Sequence, residues 1–125
     1  MTIAVDFDGT ITQESNWPII GKLNPVALTV IDLLIKKGHL VYLWTVREFL
    51  YKDKVWNILR DAGCQIEDPD DWELPIGFNG KLYADFYIDD KAIPGHLDWS
   101  HILSFIENEL PKVTLNPYIP KRKVR

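Results

Sequence analysis

Asp6 and Asp8 stand one residue apart at the end of a short apolar run, in the stretch Val5-Asp6-Phe7-Asp8-Gly9-Thr10-Ile11-Thr12. Residues 3–5 read as a buried strand, and Gly9 marks the turn that ends it. Alternate side chains of a strand share a face, so carboxylates at this spacing crowd each other if the strand continues through both. Crowded carboxylates hold protons too tightly unless a cation or a hydrogen bond offsets their repulsion. Oxygen-only donors suit a hard ion such as Mg²⁺, which binds through one or two carboxylates together with substrate phosphate. Taken alone, Asp-x-Asp-Gly is better explained as a surface turn of good turn formers. What lies downstream reverses that balance.

A second acid pair, Asp89-Asp90, closes the last strong strand, expected over residues 84–88. Thr45 ends the apolar second strand, where its hydroxyl could donate to an anion, cap the next helix, or both. Arg47 could reach the same crevice, although a solvated arginine serves equally well. In open α/β sheets the ligand crevice lies outside the carboxyl ends of the strands. Carboxylates and a lysine, Lys81, meeting there would make a poor structural device and a good metal-phosphate site.

The elements that must position these groups alternate. After an irregular stretch over residues 12–23, Asn24 caps a helix with Pro25 at its first position. Ala27, Val30, Ile31 and Leu34 follow at helical spacing up to Gly38. Residues 39–44 form the second strand, so strand, helix and strand imply a right-handed crossover and a parallel pair. A second helix is expected over 48–62, with Gly63 as its stop, then a short third strand at Gln65-Ile66 and an acidic solvated turn over 67–73. Asn79-Gly80 signals a hairpin turn. Asp98 caps a last helix over 99–110.

At 125 residues, with 46% hydrophobic and 26% charged residues, the chain has the size and composition of a single globular domain. The expectation is a catalytic domain over 1–110 and a basic tail over 111–125. The charge is divided accordingly: residues 1–110 hold nine Lys/Arg and all eighteen Asp/Glu, and residues 111–125 hold five Lys/Arg and no acid. Such a tail could meet an anionic partner, but a frayed, solvated end is the simpler expectation, and the acidic body argues against extended nucleic-acid binding. With no apolar stretch of membrane length and no signal-peptide pattern, the expected location is the cytoplasm, away from membranes. Cys64, the single cysteine, reads as a small apolar filler. His101, on a helix flank, and His96, on a loop without a visible partner, are weak candidate bases.

Together, Asp6-Phe7-Asp8-Gly9-Thr10, Thr45, Lys81 and Tyr87-Ile88-Asp89-Asp90 resemble the four ordered motifs of the haloacid dehalogenase superfamily, in its phosphatase branch. The resemblance covers about residues 1–110. It implies an α/β fold, a three-layer Rossmann-like parallel sheet of order 3-2-1-4 flanked by helices. It assigns Asp6 as the nucleophile that forms an aspartyl phosphate and Asp8 as general acid and base. It implies Mg²⁺ held by Asp6, by Asp8 through its backbone carbonyl, and by Asp89, with Asp90 close behind or as an alternative ligand. Gly9, Thr10, Thr45, Arg47 and Lys81 would surround the phosphoryl group. Lys81 lies only eight residues before Asp89 with no helix between, which departs from the pattern and leaves Lys91 as a substitute.

An acid at the second motif position resembles phosphatases rather than dehalogenases or transport ATPases. Neither gap between motifs leaves room for a cap domain, so the implied site is open. That suits a large phosphorylated substrate, or closure by a partner copy in a homo-oligomer. Trp17, Trp44 and Trp72 could form a platform for a sugar or base, with core packing preferred for Trp44. Two alternatives stand beside this reading: a nucleotide or polynucleotide phosphatase that uses the basic tail, and a non-catalytic binding module that keeps the fold.

Overall fold

The structure is a computed structural model that describes residues 1–14, 18–45, 49–76, 81–93, 95, 97–109, 111 and 119–124. Its centre is a parallel sheet of three strands, β1 (Thr2–Val5), β2 (Leu40–Leu43) and β4 (Phe86–Ile88), in the order β2-β1-β4. Ile3 pairs with Val41 on one side and with Phe86 on the other, and Val5 with Leu43 and Ile88. The first and last strong strands of the sequence are therefore neighbours, and all three carboxyl ends lie on one edge.

Helix α1 (Pro25–Lys36) starts as expected. The Asn24 side chain accepts the Val26 amide, and Pro25, which has no amide to satisfy, stands at the first position. Ala27, Val30, Ile31 and Leu34 form its buried stripe. Truncating a fully buried Ile31 to alanine costs about 2–5 kcal/mol, because transfer energy is lost and a cavity is left. Helix α2 (Phe49–Asp61) places Val55 and Leu59 in the same core. Helix α3 (Trp99–Asn108) is capped by Asp98, which accepts the Ser100 and His101 amides, and it buries Trp99 and Ile106.

These helix residues share one apolar cluster with Ile3, Val5, Val41, Leu43 and Ile88, which are alternate strand positions on a single face of the sheet. The other face carries Ala4 between Tyr42 and Tyr87. It is covered by extended chain. The Tyr42 hydroxyl donates to the Tyr83 carbonyl, and the Tyr87 hydroxyl donates to the Leu82 carbonyl at 2.5 Å. Residues 82 and 83 thus meet this face, and the described helices pack on the opposite one.

Three expectations are corrected. The predicted third strand at Gln65-Ile66 is a single parallel bridge, Tyr42 to Glu67, with Glu67 accepting from Leu43 and donating to Val41; Pro69 follows too closely for a ladder to extend. The last strand begins at Phe86 rather than at residue 84, because Asp85 accepts the Thr2 amide through its carboxylate at 2.7 Å. The tail is not simply a frayed end. Lys121–Arg122 (β5) pairs antiparallel with Trp72–Glu73 (β3), itself preceded by a short 3₁₀ turn at Pro69–Asp71. Arg122 lies 4.8 Å over the Trp72 ring and 3.3 Å from Glu67, so the basic end answers the acidic loop. The Asn79-Gly80 turn lies outside the described residues.

Candidate metal centre

The sheet edge is built from the turn after β1. Gly9 has φ of 77°, a left-handed conformation that glycine adopts without strain, and it lets the chain curl so that the amides of Thr10, Ile11 and Thr12 all point at the Phe7 carbonyl (3.0–3.2 Å). The Gly9 amide donates to the Thr12 hydroxyl at 2.8 Å. Trp99, from the start of α3, donates its indole N–H to the Thr10 carbonyl at 2.9 Å in a buried setting. The turn is thereby tied to an element 89 residues away.

Strand register carries Asp6 beside Asp89. The Asp6 amide donates to the Ile88 carbonyl at 3.0 Å, continuing the β1–β4 ladder one residue past its end. Carboxylate oxygens of Asp6, Asp89 and Asp90 lie within 4.8 Å of one another. Thr10 sits among them, its hydroxyl 3.3 Å from both Asp6 Oδ2 and Asp90 Oδ1 and accepting the Asp90 amide at 3.1 Å. Asp89 Oδ1 accepts the Lys91 amide at 3.0 Å, which turns the chain away after the acid pair. Asp8 is buried within the turn, and its carboxylate is not one of the clustered three.

The clustered acids act on Asp6. Burial and the nearby Asp89 and Asp90 push the Asp6 carboxyl up from 3.8 to about 7, against the lowering effect of the Phe7 amide and the Thr10 hydroxyl. Thr10 has one proton for two carboxylates, so hydrogen bonding cannot neutralise the group. Hard oxygen donors at this spacing fit a small divalent ion: ligands at about 2.1 Å in an octahedron lie roughly 3–4 Å apart. The residues present fit Mg²⁺.

Other expected site residues fall as follows. Thr45 follows Trp44, whose amide donates to the Val5 carbonyl at 2.9 Å, so both emerge beside Asp6 on the same edge. Lys81 is exposed and places its ammonium 4.7 Å over the Tyr87 ring. Arg47, Trp17 and His96 lie outside the described residues. His101 is exposed in the first turn of α3, and its backbone amide is taken up by the Asp98 cap. Burial pushes the Cys64 thiol up, the opposite of what a nucleophile needs, which supports its reading as filler. Trp44 departs from expectation: it is half-buried, outside the main apolar cluster, with its ring 5.2 Å from that of Tyr87. Strand alternation explains this, since Trp44 shares a face with Tyr42 and not with Val41 and Leu43.

Sequence reasoning missed Trp99 and Tyr87. Trp99 looked like one apolar residue of a helix, and only the tertiary contact reveals its hydrogen bond. Tyr87 was visible as part of the acid-bearing strand, and its alternation with Phe86 and Ile88 was the available signal that it faces the other way.

Fold and edge together define a parallel α/β domain with an acidic, cation-ready cluster where its central strands end. No protein-family model matches the chain, and no curated protein matches it either. Among solved structures it is similar to a conserved protein coded by a locus from Bacteroides thetaiotaomicron, with 36% identity over 87% of this chain and 91% of that one, and a TM-score of 0.72. The chain belongs to the same family as that protein, whose description names no activity.

Proposed function

We propose that the chain is a Mg²⁺-dependent phosphohydrolase of the haloacid dehalogenase superfamily, cleaving a phosphate monoester through an aspartyl phosphate on Asp6. The observation that carries this reading is the meeting of Asp6, Asp89 and Asp90 within 4.8 Å at the carboxyl edge of the sheet. Support also comes from strand order: the sheet runs β2-β1-β4, and the bridge from Tyr42 to Glu67 lies on the outer side of β2, where the superfamily's order has its third strand.

Asp6, Asp89 and the Asp8 backbone carbonyl would hold the ion, with Asp90 beside them through Thr10. When bound, Mg²⁺ supplies positive charge that keeps Asp6 ionised and offsets charge on the phosphoryl oxygens. An Asp6 oxygen attacks phosphorus as the ester P–O bond breaks, and Asp8 gives its proton to the leaving alkoxide. Asp8, now a carboxylate, takes a proton from the water that attacks the aspartyl phosphate, which releases orthophosphate and frees Asp6. Thr45 and Lys81 hold the phosphoryl oxygens. The open edge suits a large phosphorylated substrate, or a partner copy that covers it. Arg122 is engaged by Glu67 and Trp72, which weighs against a tail that tracks a nucleic acid.

Hydrolysis of an aryl phosphate with Mg²⁺ tests the reading. Turnover by the native chain that Asp6→Asn abolishes supports it; equal rates for the two proteins leave a binding module as the better account.

A further inference from the structure

Lys81 stands outside the described helices, and a lysine side chain must give up rotamer freedom to hold one position. One side chain meets it at two points. The Tyr87 ring lies 4.7 Å beneath the Lys81 ammonium, and the Tyr87 hydroxyl donates to the carbonyl of Leu82, the next residue in the chain, at 2.5 Å. The ring holds the tip and the hydroxyl holds the backbone. Tyr87 is in turn fixed by its pairing with Ala4 in the ladder and by the Trp44 ring, tilted 60° at 5.2 Å. It pairs with Ala4, two residues before Asp6, and strand alternation puts Ala4, Tyr87 and Asp6 on one face, so Lys81 rests on the face that carries Asp6. A ring attracts an ammonium without neutralising it, whereas a carboxylate partner would compete with phosphate for the charge.

We propose that Tyr87, braced by Trp44, is a positioning residue that holds the Lys81 ammonium at the sheet edge for the phosphoryl group. This rests on the reading of Lys81 as a phosphoryl-binding residue in the function proposed above.

Aryl-phosphate turnover and competitive inhibition by orthophosphate are measured with Mg²⁺ for the native chain, Lys81→Met, Tyr87→Leu, Tyr87→Phe and the Lys81→Met/Tyr87→Leu double variant, each checked for native-like thermal unfolding. Tyr87→Leu should lower kcat/KM roughly tenfold and weaken orthophosphate inhibition, and Tyr87→Phe, which keeps the ring, should recover most of both. In the Lys81→Met background, Tyr87→Leu should change kcat/KM by less than about twofold, because the residue acts through the lysine. Full multiplication of the two single effects overturns the proposal while leaving the phosphatase intact. A native chain that neither turns over aryl phosphate nor binds orthophosphate overturns both.

Discussion

The hydroxyl of Thr10 accepts the backbone amide of Asp90 at 3.1 Å and joins the first turn of the chain to the end of its last strand. The same oxygen lies 3.3 Å from the Asp6 and Asp90 carboxylates, so one buried side chain sets the spacing of two clustered acids. Thr10→Val preserves shape and removes the acceptor. The Asp90 amide then loses a partner, at a cost of about 1–3 kcal/mol of stability, and Thr10→Ser should restore most of it. Chemical denaturation measures the first effect, and Mg²⁺ titration by calorimetry should show weaker binding in the valine variant alone.

Asp6 gives the protein a distinctive dependence on pH. Its carboxyl ionises near 7 in the folded chain and near 3.8 when unexposed to the cluster, so the folded state holds the proton more tightly. In the absence of divalent ions the stabilisation this provides is full below about pH 4 and disappears as pH rises through 7. Thermal unfolding in a chelator, compared between the native chain and Asp6→Asn, should show the native chain losing stability relative to the variant between pH 4 and 8. A constant difference across that range contradicts the assignment.

Metal binding runs the other way. A divalent ion needs Asp6 ionised, so Mg²⁺ should bind more tightly and release fewer protons at pH 8 than at pH 6. Asp89→Asn and Asp90→Asn should each weaken the ion and relieve the repulsion on Asp6. Calorimetry in buffers of different ionisation enthalpy reads both the affinity and the protons released.

Trp99 is predicted to act at a distance from the ion. Replacing it with phenylalanine keeps most of its buried ring and removes the donor to the Thr10 carbonyl. The expected loss is about 1–3 kcal/mol, accompanied by weaker Mg²⁺ binding as the turn loosens. Stability loss with unchanged Mg²⁺ affinity would show that the turn holds its shape without the indole.

The basic end should be released by reversing one charge. Arg122→Glu sets a carboxylate against Glu67 and takes the cation from the Trp72 ring. Arg122 is more than half exposed and Glu67 about one-third, so global stability should move by less than about 1 kcal/mol. Limited proteolysis should nevertheless cut more readily over residues 119–124.

Much of the fold was legible because its signals are local. Asn24-Pro25 and Asp98 cap helices by chemistry that needs only neighbouring amides, and the spacing of Val30, Ile31 and Leu34 follows from helical geometry. The third strand is not legible in the sequence because pairing at Glu67 depends on how far the chain can run before Pro69, and the pairing of the tail is not legible because its partner, Trp72–Glu73, lies about 50 residues away. Residue types alone also declared the acids: Asp6, Asp89 and Asp90 were marked by their place at strand ends.

Whether those acids meet was beyond any local signal. Adjacency of β1 and β4 follows from which strands pair, an energy spread over the whole core, and from that pairing come the shared edge, the raised Asp6 and the Thr10 link. Sequence alone determined which groups could do chemistry and which elements carry them. Tertiary structure decided which of them touch: strand alternation turned Trp44 and Tyr87 onto the face of Asp6, and the fold placed Trp99 behind Thr10, because distance in space is set by packing and not by position in the chain.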